Sequence, residues 1–128
     1  MAEFSNYLEN KILDHVLKNV SYTSPTTVYV GLFTAAPTDT TSGTEVSGGS
    51  YARQSLSVTT ASNGITTSSA DVTFPQATAN WGTISHIGIL DALTSGNLLM
   101  YTSLTTSKTI ETDDILKINS GSLTVTLD

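Results

Sequence analysis

The chain has 128 residues, no cysteine, a formal charge of −6 and only five Lys or Arg. That excludes disulfides and thiolate metal sites, and it argues against binding nucleic acid, which is driven by Lys and Arg releasing counterions from phosphates. Charged residues make up 12% of the chain, about half the usual share. Ser and Thr fill the gap at roughly a third of the residues. Threonine's branched Cβ suits a pleated surface, so the composition predicts a β-rich, polar and weakly charged fold.

In chain order, the first element is a helix over residues 5–20. Leu8, Ile12, Val16 and Val20 recur every four residues with Leu13 and Leu17 beside them, one apolar stripe at helical period. Asn6 is placed to cap it, with Glu9 three residues later completing a capping box. Such a stripe on a short helix is expected to be buried, on its own domain or on a neighbour. The opening lacks a basic n-region and an unbroken apolar core, so no secretion signal is expected, and no apolar run reaches membrane-spanning length.

Everything after Pro25 reads as strands. Residues 26–34, TTVYVGLFT, are apolar on both faces, so both faces should be covered. Ala35 to Ser50 form a long polar loop with Pro37, Gly43, Gly48 and Gly49. In residues 51–60 Leu56 and Val58 share a face. Ser62, Asn63 and Gly64 signal a tight hairpin turn. Val72 and Phe74 share a face in 70–75, and residues 82–92 and 96–104 flank the hairpin loop 93–96. Residues 107–112, 113–118 and 122–128 complete the series, the last with Leu123, Val125 and Leu127 alternating with polar residues. About seven to nine short strands with regular turns predict one domain over 1–128: an antiparallel β-sandwich, jelly-roll-like or immunoglobulin-like, over 26–128, preceded by the helix.

Candidate chemistry centres on residues 80–91, NWGTISHIGILD. Strand alternation puts Ile84, His86, Gly88 and Leu90 on one face and Ser85, Ile87, Ile89 and Asp91 on the other. His86 as a general base needs a nucleophile or carboxylate within reach. In a regular strand Ser85 and Asp91 point away from it, so His86 reads as a packed, hydrogen-bonded histidine. Trp81 reads as a core or subunit-contact anchor, with Gly82 and Gly88 making room beside it. His15, next to Asp14 and near Lys18 on the helix, reads as solvated; two histidines on separate elements do not make a zinc site. Glu111, Asp113 and Asp114 cluster carboxylates that suit calcium, but an EF-hand spacing is missing and Asp113-Asp114 reads more simply as a turn. The glycines of residues 43–50 lack the lysine of a phosphate loop. A glycan hydrolase would need two carboxylates at a defined separation, and nothing in the sequence points to such a pair. The sequence thus assigns no catalytic, cofactor-binding or metal-ligating residue, and the expectation is a non-enzyme without a cofactor.

The series NYLENKILDHVLKN, YTSPTTVYVGLFTAAPT, SGGSYARQS, VTFPQATANWGTISHIGILDA, GNLLMYTSLTTSKTI and SGSLTVTLD, in that order over nearly the whole chain, resembles a family of small virion structural proteins of tailed bacteriophages. Members are labelled tail-fibre-like proteins or capsid cement (decoration) proteins. The resemblance implies a structural protein, assembled in the host cytoplasm and carried in the virion. A chain this short, without a repeat, favours a cement protein. That role implies a homotrimer that binds the major capsid protein at capsomer junctions, with no nucleic acid or membrane partner. The alternative is a tail or tail-fibre component, whose partners would be other tail proteins or a host surface receptor.

Overall fold

A computed structural model describes residues 3–41 and 43–127. The outer ends of the expected domain, Met1, Ala2 and Asp128, and Ser42 in the long loop, lie outside the described residues. Among the described residues there are one helix, α1 (Asn6–Leu17), and ten strands: β1 (Glu3–Phe4), β2 (Val28–Ala35), β3 (Thr44–Glu45), β4 (Gln54–Leu56), β5 (Ile65–Thr67), β6 (Val72–Thr73), β7 (Gly82–Leu90), β8 (Leu98–Ile110), β9 (Lys117–Ile118) and β10 (Thr124–Thr126). The larger sheet runs β1-β8-β7-β2-β3, with β4 also pairing β2, and every pairing in it is antiparallel. Two ribbons, β10-β5 and β6-β9, complete a sandwich-like mainly β fold.

The sandwich follows from alternation along β2 and β7. Val30 and Leu32 pair with Ile89 and Ile87 and face the ribbons. There they join Leu56, Val72, Phe74, Trp81, Ile84, Leu99, Ile110, Leu123 and Val125 in the main core. The opposite face of the same sheet carries a smaller cluster of Phe33, Leu90, Leu98 and Tyr101. So β2 is covered on both faces, as its apolar sequence requires. At the crossing of β2 and β7 two glycines lie directly opposite each other, Gly31 and Gly88. A Cβ on Gly88 would come within 2.7 Å of both Phe33 and Leu98. The bulky neighbour that needs Gly88 is therefore Phe33, not Trp81. Gly82 has a different role again: its φ of +89° is a backbone conformation that side chains disfavour, and the nearest atom to a Cβ there is 3.6 Å away.

Several sequence expectations change in detail. The helix is capped by Ser5, whose Oγ accepts from the Leu8 N–H at 3.3 Å, rather than by Asn6. Glu9 is then four residues past the cap, too far along for a capping box. Ser5 is preferred because it is tied to the sheet: its Oγ donates to the Leu98 carbonyl at 2.6 Å and its N–H to the Leu99 carbonyl at 2.9 Å. The loop 35–50 is not all loop, since β3 pairs with the end of β2 and Val46 is buried in the main core. The segments expected at 96–104 and 107–112 are one strand, β8, whose pairing with β7 slips between Ser103 and Lys108. Asn63-Gly64 does form a two-residue hairpin turn, with both residues at positive φ and Ser62 and Ile65 exchanging backbone bonds at 3.0 Å.

Trp81 is 6% exposed. Its Nε1 donates to the Gly49 carbonyl at 2.8 Å, and its ring meets Tyr51 edge-on, centroids 5.4 Å apart. Tyr51 in turn stacks on Phe74 at 6.2 Å. Trp81→Ala is expected to lower the unfolding free energy by about 3–5 kcal/mol. Gly88→Ala, which overpacks the second face, is expected to cost about 1–3 kcal/mol. Urea unfolding followed by far-ultraviolet circular dichroism measures both.

Candidate functional site

The slip in β8 decides what His86 touches. Between Ile84 and His86, β7 advances two residues while β8 advances from Lys108 to Ser103. The extra residues form a bulge, and a bulge re-aims side chains. Ile84 therefore turns into the main core with Ile87 and Ile89, instead of sharing a face with His86. His86, paired with Phe33 on one side and Ser103 on the other, lies on the opposite face with Gly88 and Leu90. The irregular backbone also brings Ser85 Oγ to 2.8 Å from His86 Nδ1, a contact that regular alternation forbids. Ser85 Oγ lies 3.5 Å from the Thr34 carbonyl as well.

His86 borders an open cleft of about 520 Å³. Its walls come from β1 (Glu3), from the loop after β2 (Thr38, Asp39, Thr40) and from β8 (Tyr101, Ser103). Tyr101 is the buried floor, and its hydroxyl donates to Asp39 Oδ1 at 2.5 Å. That bond, followed by burial and a contribution from Glu3, pushes the Tyr101 phenol above its ordinary value. Asp39 is held in turn by the helix, whose Asn6 N–H donates to its carbonyl at 3.1 Å. The pairing of Ser85 with His86 lacks the rest of a nucleophilic machine. Among the described residues no carboxylate bonds the far side of the imidazole to orient it, as a serine–histidine mechanism requires.

A second polar constellation lies along the edge of β2. Glu45 takes a two-pronged bond from Arg53, Oε1 to Nη2 at 2.7 Å and Oε2 to Nε at 2.9 Å. The Tyr51 hydroxyl donates to Oε2 at 2.5 Å and accepts from the Leu32 N–H at 3.0 Å. Arg53 Nη1 reaches the carbonyls of Ala92 and Ser95 at 2.7 and 2.8 Å, in the loop between β7 and β8. Burial, and then the bond to Glu45, push the Tyr51 phenol up. Glu45, Tyr51 and Arg53 are each bonded within the fold, so this network ties β3 to the β7–β8 loop.

The remaining candidates are placed as follows. Both Asp91 carboxylate oxygens bind Asn97, at 2.7 and 3.0 Å, and close the β7–β8 loop. His15 Nδ1 lies 3.0 Å from the Val20 carbonyl beyond the helix end. Asp114 Oδ2 accepts from the Glu111 N–H at 2.9 Å, and Asp113 sits at a φ of +76°, as a turn requires. No group of three or more His, Asp or Glu side chains able to hold a metal ion occurs among the described residues. No helix among them is long and apolar enough to cross a membrane.

Residues 3–126 match the family model described as Podophage GP4 fiber I protein gp80. The chain belongs to this family of phage structural proteins. No curated protein matches the chain.

The two raised phenols set a pH dependence. The folded chain keeps the Tyr51 and Tyr101 protons at a pH where the unfolded chain, titrating near 10, gives them up. Their contribution is complete below about pH 10 and is lost as pH climbs through the folded values. Urea midpoints are expected to fall between pH 8 and pH 11. Tyr51→Phe should start lower and fall less, and an equal fall in the variant would remove Tyr51 as a cause.

Proposed function

We propose that this chain is a small structural component of a tailed phage's fibre assembly, and that it works by contact rather than catalysis. The observation that carries this is the match to a fibre-protein family over residues 3–126. A virion part has to stay folded and avoid stray binding outside a cell. A surface rich in Ser and Thr and poor in Lys and Arg suits both needs. Its partners on this reading are further copies of itself and other tail proteins, and the cleft beside His86 is the surface most suited to an exterior ligand such as a host receptor. The capsid cement role rests on the short chain, the lack of a repeat and the resemblance to a family that includes cement proteins, and the description of the matching family favours the fibre.

The test is immunogold labelling of intact virions with antibody against the folded chain. Label confined to the tail, with capsids equally heat-resistant when the protein is missing, is the expected result. Label spread over the capsid, with heat-sensitive particles in its absence, would sink the fibre role and restore the cement role.

A further inference from the structure

Only the first half of α1 is used by the fold. Leu8 is its one buried residue, 5% exposed, and Ile12 is partly covered. Beyond them Leu13 is 54% exposed, Val16 69%, Leu17 74% and Val20, just past the helix, 47%. At about 100° per residue Val16, Leu13 and Leu17 fall within one arc of roughly 100°, while Lys11, Asp14 and Lys18 lie opposite. The stripe expected to be buried is thus buried at one end only. The exposed end is not a frayed tail. Ser5 bolts the helix start to β8, and Asn19, at a φ of +57°, closes its far end, with the Val20 N–H donating to the Asp14 carbonyl at 3.1 Å. A helix capped at both ends therefore presents on the order of 400 Å² of contiguous apolar surface, the size range in which a monomer's largest patch is often functional.

Charge and geometry select the occupant. Glu9 and Asp14 are matched on this segment by Lys11 and Lys18, so the chain's net −6 lies entirely on the rest of the molecule. Two copies of an acidic chain meet along this net-neutral helix without net repulsion. Glu9 shares the apolar arc toward its N-terminal end, one turn before Leu13. Parallel helices would bring the Glu9 carboxylates together. An antiparallel pair sends each Glu9 to the outer end of the contact, where it stays in water, and sets the helix dipoles against each other favourably. The patch supplies about half of the roughly 800 Å² per partner of a standard interface, so the pair is reversible and flanking residues complete it.

We propose that α1 is a self-association element: two copies pair antiparallel through Leu13, Val16, Leu17 and Val20, with Leu13 of each against Leu17 of the other. This holds wherever the protein sits in the virion, and it departs from a trimer built on a shared helix axis. The test uses the full chain. Analytical ultracentrifugation is expected to show a concentration-dependent dimer. Leu13→Glu with Leu17→Glu is expected to be monomeric at the same concentrations while keeping the wild-type circular dichroism and urea midpoint. The chain has no cysteine, so Leu13→Cys and Leu17→Cys each carry a single thiol. Mixed and oxidised, they should form the 13–17 cross-link well ahead of 13–13 or 17–17. A wild type that stays monomeric, a glutamate variant that still dimerises, or dominant like-to-like cross-links would each overturn the proposal. So would a chain that is monomeric alone and uses this face only to bind a different tail protein.

Discussion

The fork between Glu45 and Arg53 is the interaction that ties β3, Tyr51 and the β7–β8 loop together. The Arg53 side chain is 10% exposed and that of Glu45 21%, so the pair is largely withdrawn from water. Bringing charges inside is expensive, and removing one partner of a buried pair costs about 3–5 kcal/mol because the other is left uncompensated. Here the expense is offset by completeness. Glu45 receives Arg53 and Tyr51, and Arg53 also satisfies two carbonyls of the β7–β8 loop. Through these bonds one ion pair fixes β3 against β2, fixes that loop, and holds Tyr51 where Trp81 and Phe74 need it. Gly31 belongs to the same arrangement, since a Cβ there would lie 2.9 Å from Glu45 Oε2.

The main sheet uses its two faces differently. One carries the long apolar core shared with the ribbons, and the other carries four buried side chains and the cleft. The bulge in β8 is the joint between these regimes. On one side of it Ile84 is fully buried; on the other His86 and Ser103 look outward. An interrupted ladder is tolerated at this point because β8 has bonds to spare: thirteen residues long, it runs beside β7 before and after the slip.

Much of this was legible in the sequence, and the failures have identifiable causes. Hydrophobic period found α1, β2, β7 and β10, and Asn63-Gly64 gave its turn, because those signals are local. The cap went to Ser5 rather than Asn6 because a contact with Leu98, far along the chain, decides between two good capping residues. Ser85 meeting His86 was unreadable, since strict alternation assumes no bulge and the extra residues lie in another strand. The Glu45–Arg53 fork left no motif: its members are eight residues apart, one in a stretch that reads as polar loop and the other in the strand expected after it. The helix stripe is apolar as its period indicates, yet periodicity states only that a face seeks cover, not whether its own domain supplies it.

The separation of the two faces bears on how such a protein changes over generations. Thr38, Thr40 and Ser103, on the walls of the cleft, contribute nothing to the main core, and the strands beneath them are held by backbone ladders and by packing on the far side. Replacing Thr40 or Ser103 alters the shape and chemistry of the cleft at little expense to folding, whereas on the opposite face a change of volume costs stability. A sheet divided in this way keeps its core constant while its cleft drifts, so two related chains can come to differ in what they touch long before they differ in how they are built.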